Sequence, residues 1–288
     1  MQQTSQASGH VASAVVVAHP GHEVRIHGWL ERERPSIFIL TDGSGRVGEP
    51  RIASTSEYLK KFRMRPARIY GRLTDLEVYG AVLRRDFGLF VGLSEELAGA
   101  LVAEGVGRVV GDASEGYNTT HDVCRLVLNA AVELARRAGG AREVESYDYP
   151  VVKRPDHCPE HLRALSLWLH LDEEAFQRKL AAAFEFYPQL AAETQEALSG
   201  RDLDGASRHF KLDGDEHAAT DFRGLDVFRV ECLRPVSACA APFEGESPYY
   251  ERVGEGKVAD GLYESVIRYR EHLAPLADAL RENVERKT

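Results

Sequence analysis

The sequence predicts an α/β protein built on a Rossmann-like wound, mostly parallel sheet, with helical additions in the C-terminal half. Three observations predict this class. Short apolar runs alternate with helical segments over residues 11–150, as they do in a wound sheet. Several of these runs are continuously apolar, which is typical of buried parallel strands. With 43% hydrophobic and 28% charged residues, the chain has the composition of an ordinary globular protein.

The first strand and the first helix illustrate the pattern. An apolar, β-branched run over Ala14–Ala18 predicts a strand that stops at His19-Pro20-Gly21. Residues 24–34 then have helical character, and Pro35 stops the helix. Because ligands of wound sheets bind at the carboxyl ends of the strands, polar residues directly after a strand are candidates for a site.

The remaining elements of the first half continue the same alternation. Apolar runs predict further strands at 37–40, at 68–70, around Leu76 to Tyr79 and at 107–111. Helical spacing predicts helices over 52–61, from Ser94 as N-cap through Val102, and over 121–137, where the apolar residues form one stripe.

The second half has a different pattern. From residue 159 onward the sequence predicts mainly helices, at 172–186, at 187–198 and over 257–286, with one alternating strand at 226–233. We therefore expect a single domain over 11–288, with its core at 11–150 and helical additions at 151–288. A polar, loosely ordered tail is expected over 1–10.

Charge and cysteine usage restrict the partners and the compartment. The chain has 36 Lys+Arg and 45 Asp+Glu, a net charge of -9, and no dense basic stripe, so nucleic acid is not an expected partner. No apolar run reaches the ~18 residues of a membrane span, and residues 1–10 do not show the positive and apolar regions expected of a signal peptide. The 4 cysteines have no CxxC spacing, which suits a reducing cytoplasm. The expected partner is a small-molecule substrate.

Two histidines follow the first predicted strand, in the segment Ala18-His19-Pro20-Gly21-His22-Glu23. Imidazoles three residues apart at the mouth of a parallel sheet can point at one metal ion, and neutral His is the commonest metal ligand. Alternatively, one histidine caps the following helix and the other faces solvent. The first interpretation predicts a metal site at His19 and His22.

A second polar loop supports the metal interpretation. Residues 112–122 follow a predicted strand and open a helix. Loops after neighbouring strands of a wound sheet converge on the same crevice, so His121 can supply a third nitrogen. Three protein ligands with a fourth position for water is the arrangement of catalytic zinc, which acidifies the bound water.

These two loops resemble the metal site of the LmbE/PIG-L family of zinc-dependent N-acetylglucosamine deacetylases. The family motifs are Ala-His-Pro-Asp-Asp-Glu after the first strand and His-Pro-Asp-His at the start of a later helix; a turn like Thr41-Asp42-Gly43-Ser44-Gly45 also occurs there. The resemblance implies that His19, His22 and His121 bind zinc, with His22 in place of a carboxylate. This exchange raises the charge of the site by one, and such a site also accepts iron or another divalent metal.

Two positions depart from the family motifs. The Asp that serves as general base in the family falls on Gly21, and the first His of the later motif falls on Asn118. Asn can donate a hydrogen bond to an oxyanion, but it cannot transfer a proton. Hydrolysis would therefore need another carboxylate as the base. Glu115 and Asp42 are preferred because loop residues can point inward. The full set of acidic candidates near the crevice is Glu23, Asp42, Asp112, Glu115 and Asp122.

Arg51 stands where the family often has a substrate-holding arginine, although a surface arginine at a helix start is an equal alternative. The resemblance implies a zinc-dependent amidohydrolase that deacetylates an N-acyl amino sugar or a related small polar amide. The alternative is a divergent protein whose three-histidine metal site no longer deacetylates and serves another metal-dependent reaction or ligand binding. A scaffold without metal is the third possibility.

Overall fold

A computed structural model describes residues 11–45, 48–138, 144–188, 191, 224–237 and 247–287. The expected tail at 1–10 and most of the helix predicted at 187–198 lie outside these residues. The described chain contains a 7-stranded sheet, which confirms the predicted α/β class. Its strands are β1 (Ala12–Val17), β2 (Ser36–Thr41), β3 (Arg65–Leu73), β4 (Val106–Asp112), β5 (Glu145–Tyr149), β6 (Leu167–His170) and β7 (Val230–Pro235).

Helices connect and flank these strands. The α-helices are α1 (His27–Glu33), α2 (Ile52–Lys61), α3 (Asp75–Leu83), α4 (Phe87–Ala103), α5 (Thr119–Ala138), α6 (Glu173–Phe186), α7 (Tyr249–Ala259) and α8 (Ala274–Arg286). Short 3-10 helices occupy His22–Ile26, Glu160–Leu162 and Leu225–Arg229, and a π-helical turn occupies Tyr269–Leu273. Among the described residues, no helix combines the length and the apolar composition of a membrane-spanning segment.

The strand order brings the loops after β1 and β4 together. The sheet runs β3-β2-β1-β4-β5-β7-β6, with β1 to β5 parallel and with β7 antiparallel to both of its neighbours. The chain starts in the middle of the sheet, builds towards β3, and then crosses β1 to continue with β4. This reversal is the topological switch point of a wound sheet, where a crevice forms beyond the carboxyl ends of the strands.

Both faces of the sheet are covered, which explains why the central strands are continuously apolar. Ala14 and Val16 of β1 lie in a core cluster with side chains of α3, α4, α5 and α8. Val15 and Val17 point to the opposite face and lie in a second cluster with side chains of α1, α2 and α6. A strand that is buried on both faces needs apolar residues at every position.

Two predicted elements of the first half are wrong. The residues around Leu76 to Tyr79 form α3 instead of a strand. Thr74 caps this helix, because its side chain accepts from the Glu77 N–H while the Glu77 carboxylate accepts from the Thr74 N–H. Ser94 is not an N-cap, since it lies inside α4 and its hydroxyl donates to the Val91 carbonyl at 2.7 Å.

The second half contains more strand than the sequence predicts. β7 pairs with β5 and with β6, so the C-terminal additions extend the sheet as well as cover it. The strand predicted at 226–233 begins at Val230, because Leu225–Arg229 form a 3-10 helix. β5 and β6, which have 5 and 4 residues, are too short to give a clear periodic signal.

Candidate metal centre

The three histidines predicted from sequence meet at the switch point. His19 and His22 follow β1, and His121 lies in the first turn of α5, after β4. Their ring centroids are 5.1 Å apart for His19 and His22, 5.0 Å for His19 and His121, and 4.6 Å for His22 and His121. One ring nitrogen from each lies within 4.8 Å of the other two. Three imidazoles in this arrangement fit the donor set of a tetrahedral metal with one open position.

Gly21 makes the turn between the first two histidines. Its backbone has a φ of 101°, in the left-handed region that favours glycine, and the 3-10 helix starts directly after it at His22. An aspartate at this position would have to adopt the same backbone conformation, which strains a residue with a Cβ atom. The glycine therefore serves the turn that brings His19 and His22 together.

Asp75 orients the His19 imidazole. His19 Nε2 lies 2.7 Å from Asp75 Oδ1, and the same carboxylate accepts from the Thr41 hydroxyl at 3.2 Å and the Gly45 N–H at 2.7 Å. Burial alone would raise the pKa of Asp75, but the bonds from His19 and Gly45 lower it below its usual value. An ionised carboxylate only accepts hydrogen bonds, so it fixes the His19 proton on Nε2 and leaves a lone pair on Nδ1.

Asp112, the last residue of β4, does the same for His22. His22 Nδ1 lies 2.8 Å from Asp112 Oδ2, which also accepts from the Ala18 N–H at 2.8 Å, while Asp112 Oδ1 accepts from the Tyr149 hydroxyl at 3.2 Å. Burial opposes ionisation of Asp112, yet its electrostatic interaction and hydrogen bond with His22 hold its pKa well below the usual value. His22 therefore keeps a lone pair on Nε2.

His121 carries an unpartnered nitrogen. Its Nδ1 is buried and has no hydrogen bond to any described residue. Burial lowers the pKa of His121 well below its usual value, and the neighbouring His22 and His19 lower it further. Burial also lowers the pKa of His19. Neutral imidazoles are the form that binds metals, and a buried nitrogen without a partner is costly unless something satisfies it, so the cluster fits a metal ion.

Asn118 caps the helix that carries His121. Its side-chain oxygen accepts from the Thr120 N–H at 2.8 Å, and its backbone oxygen accepts from the Asp122 N–H at 3.4 Å. Its Nδ2 has a long contact of 3.5 Å to the Tyr79 hydroxyl. Asn118 is half-buried, so this amide group can still donate to a bound molecule.

The two preferred bases are placed differently. Both Glu115 oxygens accept from backbone N–H groups, those of Val151 and Val152 at 2.8 Å and that of Lys153 at 3.0 Å, so this carboxylate holds the chain after β5. Asp42 Oδ1 accepts from the N–H and the hydroxyl of Ser44 at 2.9 and 2.6 Å. The other oxygen of half-buried Asp42 has no hydrogen bond to a described residue.

Arg51 reaches the same loops. A Cβ atom on Gly43 would lie 2.9 Å from Arg51 Nε and 2.8 Å from Cδ of Pro20, so the guanidinium group and the loop after β1 meet over this glycine. The Arg51 charge contributes to the lowered pKa of His121. Arg51 Nε is buried without a hydrogen bond among the described residues. A cation so placed suits a polar or anionic group of a bound molecule.

Glu23 is held in a buried network beside the cluster. Its carboxylate accepts from the Gly21 N–H at 2.8 Å, from the Thr55 hydroxyl at 3.2 Å and from the Tyr187 hydroxyl. Burial raises its pKa above the usual value, although the Tyr187 bond opposes the shift. These contacts tie the loop after β1 to α2 and to the residue after α6, so Glu23 has a positioning role.

Asp122, the last of the candidate carboxylates, is buried at the start of α5. Its Oδ1 accepts from the Ser114 hydroxyl at 2.8 Å and from the Gly116 N–H at 3.4 Å. Burial raises its pKa to about 7, because those hydrogen bonds offset the lost hydration only in part. Asp122 thus closes the loop that precedes the helix.

Asp75 is the residue of the site that sequence reasoning missed. It is the first residue of α3 and follows β3, so it lies at the same edge of the sheet as the histidines. Thr74 and Glu77 give the sequence pattern of a capping box, which marks a helix start directly after a strand. That signal could have placed a carboxylate at this edge.

No protein-family model and no curated protein sequence matches the chain. The LmbE/PIG-L resemblance therefore stays a prediction from the motifs. Three of the solved structures that are similar to this chain are deacetylases. The A40926 pseudoaglycone deacetylase has 18% identity and a TM-score of 0.47, over 81% of this chain and 99% of that chain. A zinc-inhibited form of teicoplanin deacetylase has 11% identity and a TM-score of 0.46, over 78% of this chain and 98% of that chain. A triple mutant of a deacetylase of teicoplanin biosynthesis has 12% identity and a TM-score of 0.45, over 79% of this chain and 98% of that chain.

Proposed function

We propose that this protein is a metal-dependent hydrolase of a carbon–nitrogen bond that deacetylates an N-acyl amino sugar or a related small polar amide. The observation that carries the proposal is the buried cluster of His19, His22 and His121, with one nitrogen of each within 4.8 Å of the others. Zinc is the metal we expect, and iron or another divalent ion also suits three neutral imidazoles.

The buried carboxylates support a metal role for the cluster. Asp75 and Asp112 each bond to one histidine, at 2.7 and 2.8 Å, and so fix which ring nitrogen carries the lone pair. Metal-ligating histidines commonly have such partners, because the second hydrogen bond orients the ring and makes it a better ligand. Histidines that served only to fill the core would not need two ionised carboxylates beside them.

A divalent metal bound here supplies Lewis acidity, which polarises an acyl oxygen and lowers the pKa of a water molecule. The residues around the cluster bind and orient the substrate. Asn118 Nδ2 donates to the acyl oxygen as negative charge develops there. Arg51 holds a polar or anionic part of the substrate.

Asp42 is the carboxylate that we propose as the base. Glu115 is less suited, because backbone N–H groups occupy both of its oxygens. Asp42 lies on the turn that also contains Gly43, against which Arg51 packs, and Ser44 engages one Asp42 oxygen. The other oxygen can accept a proton from water and return it to the leaving amine.

Metal content and hydrolysis test the proposal together. Wild-type protein reconstituted with zinc is expected to bind one metal per chain and to release acid from members of a panel of N-acyl amino sugars and N-acyl amino acids. His22→Ala and His121→Ala are each expected to lose the metal and the activity. His161→Ala, which changes an exposed histidine, is the matched control and should keep both.

Each outcome has a defined meaning. Metal content unchanged in His22→Ala and His121→Ala would overturn the metal site. A metal bound in the wild type but absent from both variants, with no hydrolysis across the panel, would overturn the hydrolase and favour a metal protein with another reaction or a binding role. In an active enzyme, Asp42→Asn is expected to lower kcat while the metal content stays at the wild-type level.

A further inference from the structure

A tyrosine from the C-terminal half of the chain stacks on a tyrosine beside the histidine cluster. Tyr249 is the first residue of α7, and its ring stacks on that of Tyr117 with centroids 5.3 Å apart and planes 4° from parallel. The Tyr117 ring in turn lies 6.4 Å from the ring of His121, tilted by 43°. The order outward from the cluster is therefore His121, Tyr117, Tyr249.

The start of α7 is fixed by hydrogen bonds near this stack. The Tyr250 N–H donates to the Gly116 carbonyl at 3.4 Å, which joins α7 to the loop before α5. The buried Glu251 carboxylate accepts from the Ser247 hydroxyl at 2.7 Å and from the Tyr269 N–H at 2.6 Å. These contacts hold Tyr249 beside the loop that carries Tyr117.

The stack combines flat apolar faces with polar edges. Two parallel rings at this centroid distance are offset, so they form a stepped apolar surface instead of a closed sandwich. Both rings are half-buried. The tyrosine hydroxyl groups lie at the ring edges, and the exposed Arg252 places its guanidinium carbon 5.9 Å from the Tyr249 ring centroid.

A sugar ring suits such a surface better than an alkyl chain does. One face of a pyranose presents C–H groups that pack on an aromatic ring, while its hydroxyl groups point outward and need hydrogen-bond partners. An alkyl chain would make no use of the polar groups beside Tyr117 and Tyr249. Pockets that bind small molecules commonly combine aromatic walls with a few polar groups in this way.

We propose that Tyr117 and Tyr249 form the platform on which the sugar ring of the substrate packs while its N-acyl group reaches the histidine cluster. This inference rests on the proposed function and assigns the selection of the sugar to these two residues. The platform sets which amides bind well. The histidines, Asn118 and Asp42 act on the acyl group.

Two probes that carry the same acetamide group test the platform. N-acetylglucosamine has the sugar ring, and N-acetylethanolamine lacks it. In metal-loaded protein, Tyr249→Leu is expected to raise KM for N-acetylglucosamine about fivefold, with kcat within about twofold, because an aromatic contact is worth on the order of 1 kcal/mol. Its KM for N-acetylethanolamine should stay within about twofold of the wild type. Tyr249→Phe keeps the ring and should restore the wild-type KM.

Phe184→Leu is the matched control, because it removes an exposed aromatic ring from α6. It should leave both KM values unchanged. Tyr117→Leu provides a second variant with the same expected selectivity should Tyr249→Leu fold poorly. Dissociation constants from calorimetry with the same probes and variants give a readout that does not depend on turnover.

The result that supports the platform is a selective loss of the sugar probe in the leucine variants. An equal loss of both probes, or no loss of either, would overturn it. So would a larger loss for N-acetylaniline, whose ring is planar and aromatic, than for the sugar. Selective binding of the sugar without hydrolysis would contradict the proposed function and leave the platform standing.

Discussion

The two loops that carry the histidines are supported in different ways. In the loop after β1, His19 and His22 each bond to a buried carboxylate from another element, Asp75 of α3 and Asp112 of β4. His121 lies in the first turn of α5, and its Nδ1 has no hydrogen bond to a described residue. Two of the proposed ligands are thus oriented by side chains distant in sequence, whereas the third is oriented by its own helix.

Support for the first loop extends into the C-terminal half. Lys179 of α6 donates to the backbone oxygen of Arg25 at 2.6 Å and to Glu231 of β7 at 2.9 Å. Glu231 also accepts from the N–H groups of Gly28 and Trp29 in the first turn of α1, at 2.9 and 2.8 Å. The residues added after the wound core therefore help to hold the segment that follows His22. This contrast predicts that the loop after β1 is sensitive to substitutions in elements distant in sequence. The loop before α5 should be sensitive only to substitutions in that loop and its helix.

Loss of the buried Lys179 charge is expected to have the largest effect. Lys179→Met leaves the Glu231 carboxylate buried without its cation, which should lower the free energy of unfolding by about 3–5 kcal/mol. Arg178→Met is the matched control on the same helix, because Arg178 pairs with Glu31 at the surface and should contribute under about 1 kcal/mol. Urea denaturation of both variants measures the difference. Equal losses would show that the C-terminal half does not support the first loop in this way.

His27 makes the stability of the segment that follows His22 dependent on pH. It is the first residue of α1, and its Nδ1 lies 2.8 Å from the Tyr58 hydroxyl of α2. Burial lowers its pKa from 6.5 to about 4, although Glu31 opposes the shift. The unfolded chain takes up a proton below pH 6.5 and the folded chain only near pH 4. The contribution of neutral His27 is therefore complete above pH 6.5 and is lost as the pH falls towards 4.

Between pH 7 and pH 4, the contribution of His27 to the free energy of unfolding falls by about 3 kcal/mol. His27→Gln removes the titrating group and keeps an amide that can bond to Tyr58. Denaturation of wild type and variant at intervals across this range should show a steeper loss of stability in the wild type. The other titrating groups are present in both proteins and cancel in the comparison. Parallel profiles would contradict the assignment to His27.

The sequence predicted the central elements well because clear turn and stop residues mark where they end. The run Ala14–Ala18 stops at a His-Pro-Gly turn, and the helix predicted at 52–61 has those bounds in the structure. α3 was missed because Val78 and its apolar neighbours resemble a strand when the Thr74 cap is ignored. Local patterns thus identified elements wherever a terminus was marked by a turn or a stop.

The partners of the site could not be predicted in the same way. Asp75 lies 56 residues from His19, and Asp112 lies 90 residues from His22. Their meeting depends on strand order, which no local pattern contains. Asp112 and Glu115 are both acidic residues after the same apolar run, yet one carboxylate bonds to a histidine and the other to backbone N–H groups. Side-chain direction at a strand end decides between these roles, and it is set by tertiary packing.

Removal of the orienting carboxylates should weaken metal binding without abolishing it. Asp75→Asn and Asp112→Asn are each expected to lower the affinity for zinc by about 10- to 100-fold, because the imidazole loses an anionic partner that orients it. Asp42→Asn is the control, since Asp42 bonds to Ser44 and not to a histidine. Competition against a chromophoric chelator measures the affinities. A loss in Asp42→Asn as large as in the other two would contradict the orienting role.

The second loop should respond to its helix cap and not to distant carboxylates. Asn118→Ala removes the acceptor for the Thr120 N–H and is expected to lower the free energy of unfolding by about 1 kcal/mol. Asn118→Asp keeps an acceptor at the cap and adds a charge that suits a helix N-terminus, so its stability should match the wild type. Zinc affinity should stay within about twofold in both variants, because His121 is carried by the body of α5 and the cap makes no contact with a carboxylate that orients a ligand. Thermal unfolding with and without zinc separates the two effects. A fall in zinc affinity in Asn118→Ala as large as that in Asp112→Asn would mean that both loops are held by the same network, and the contrast between them would be lost.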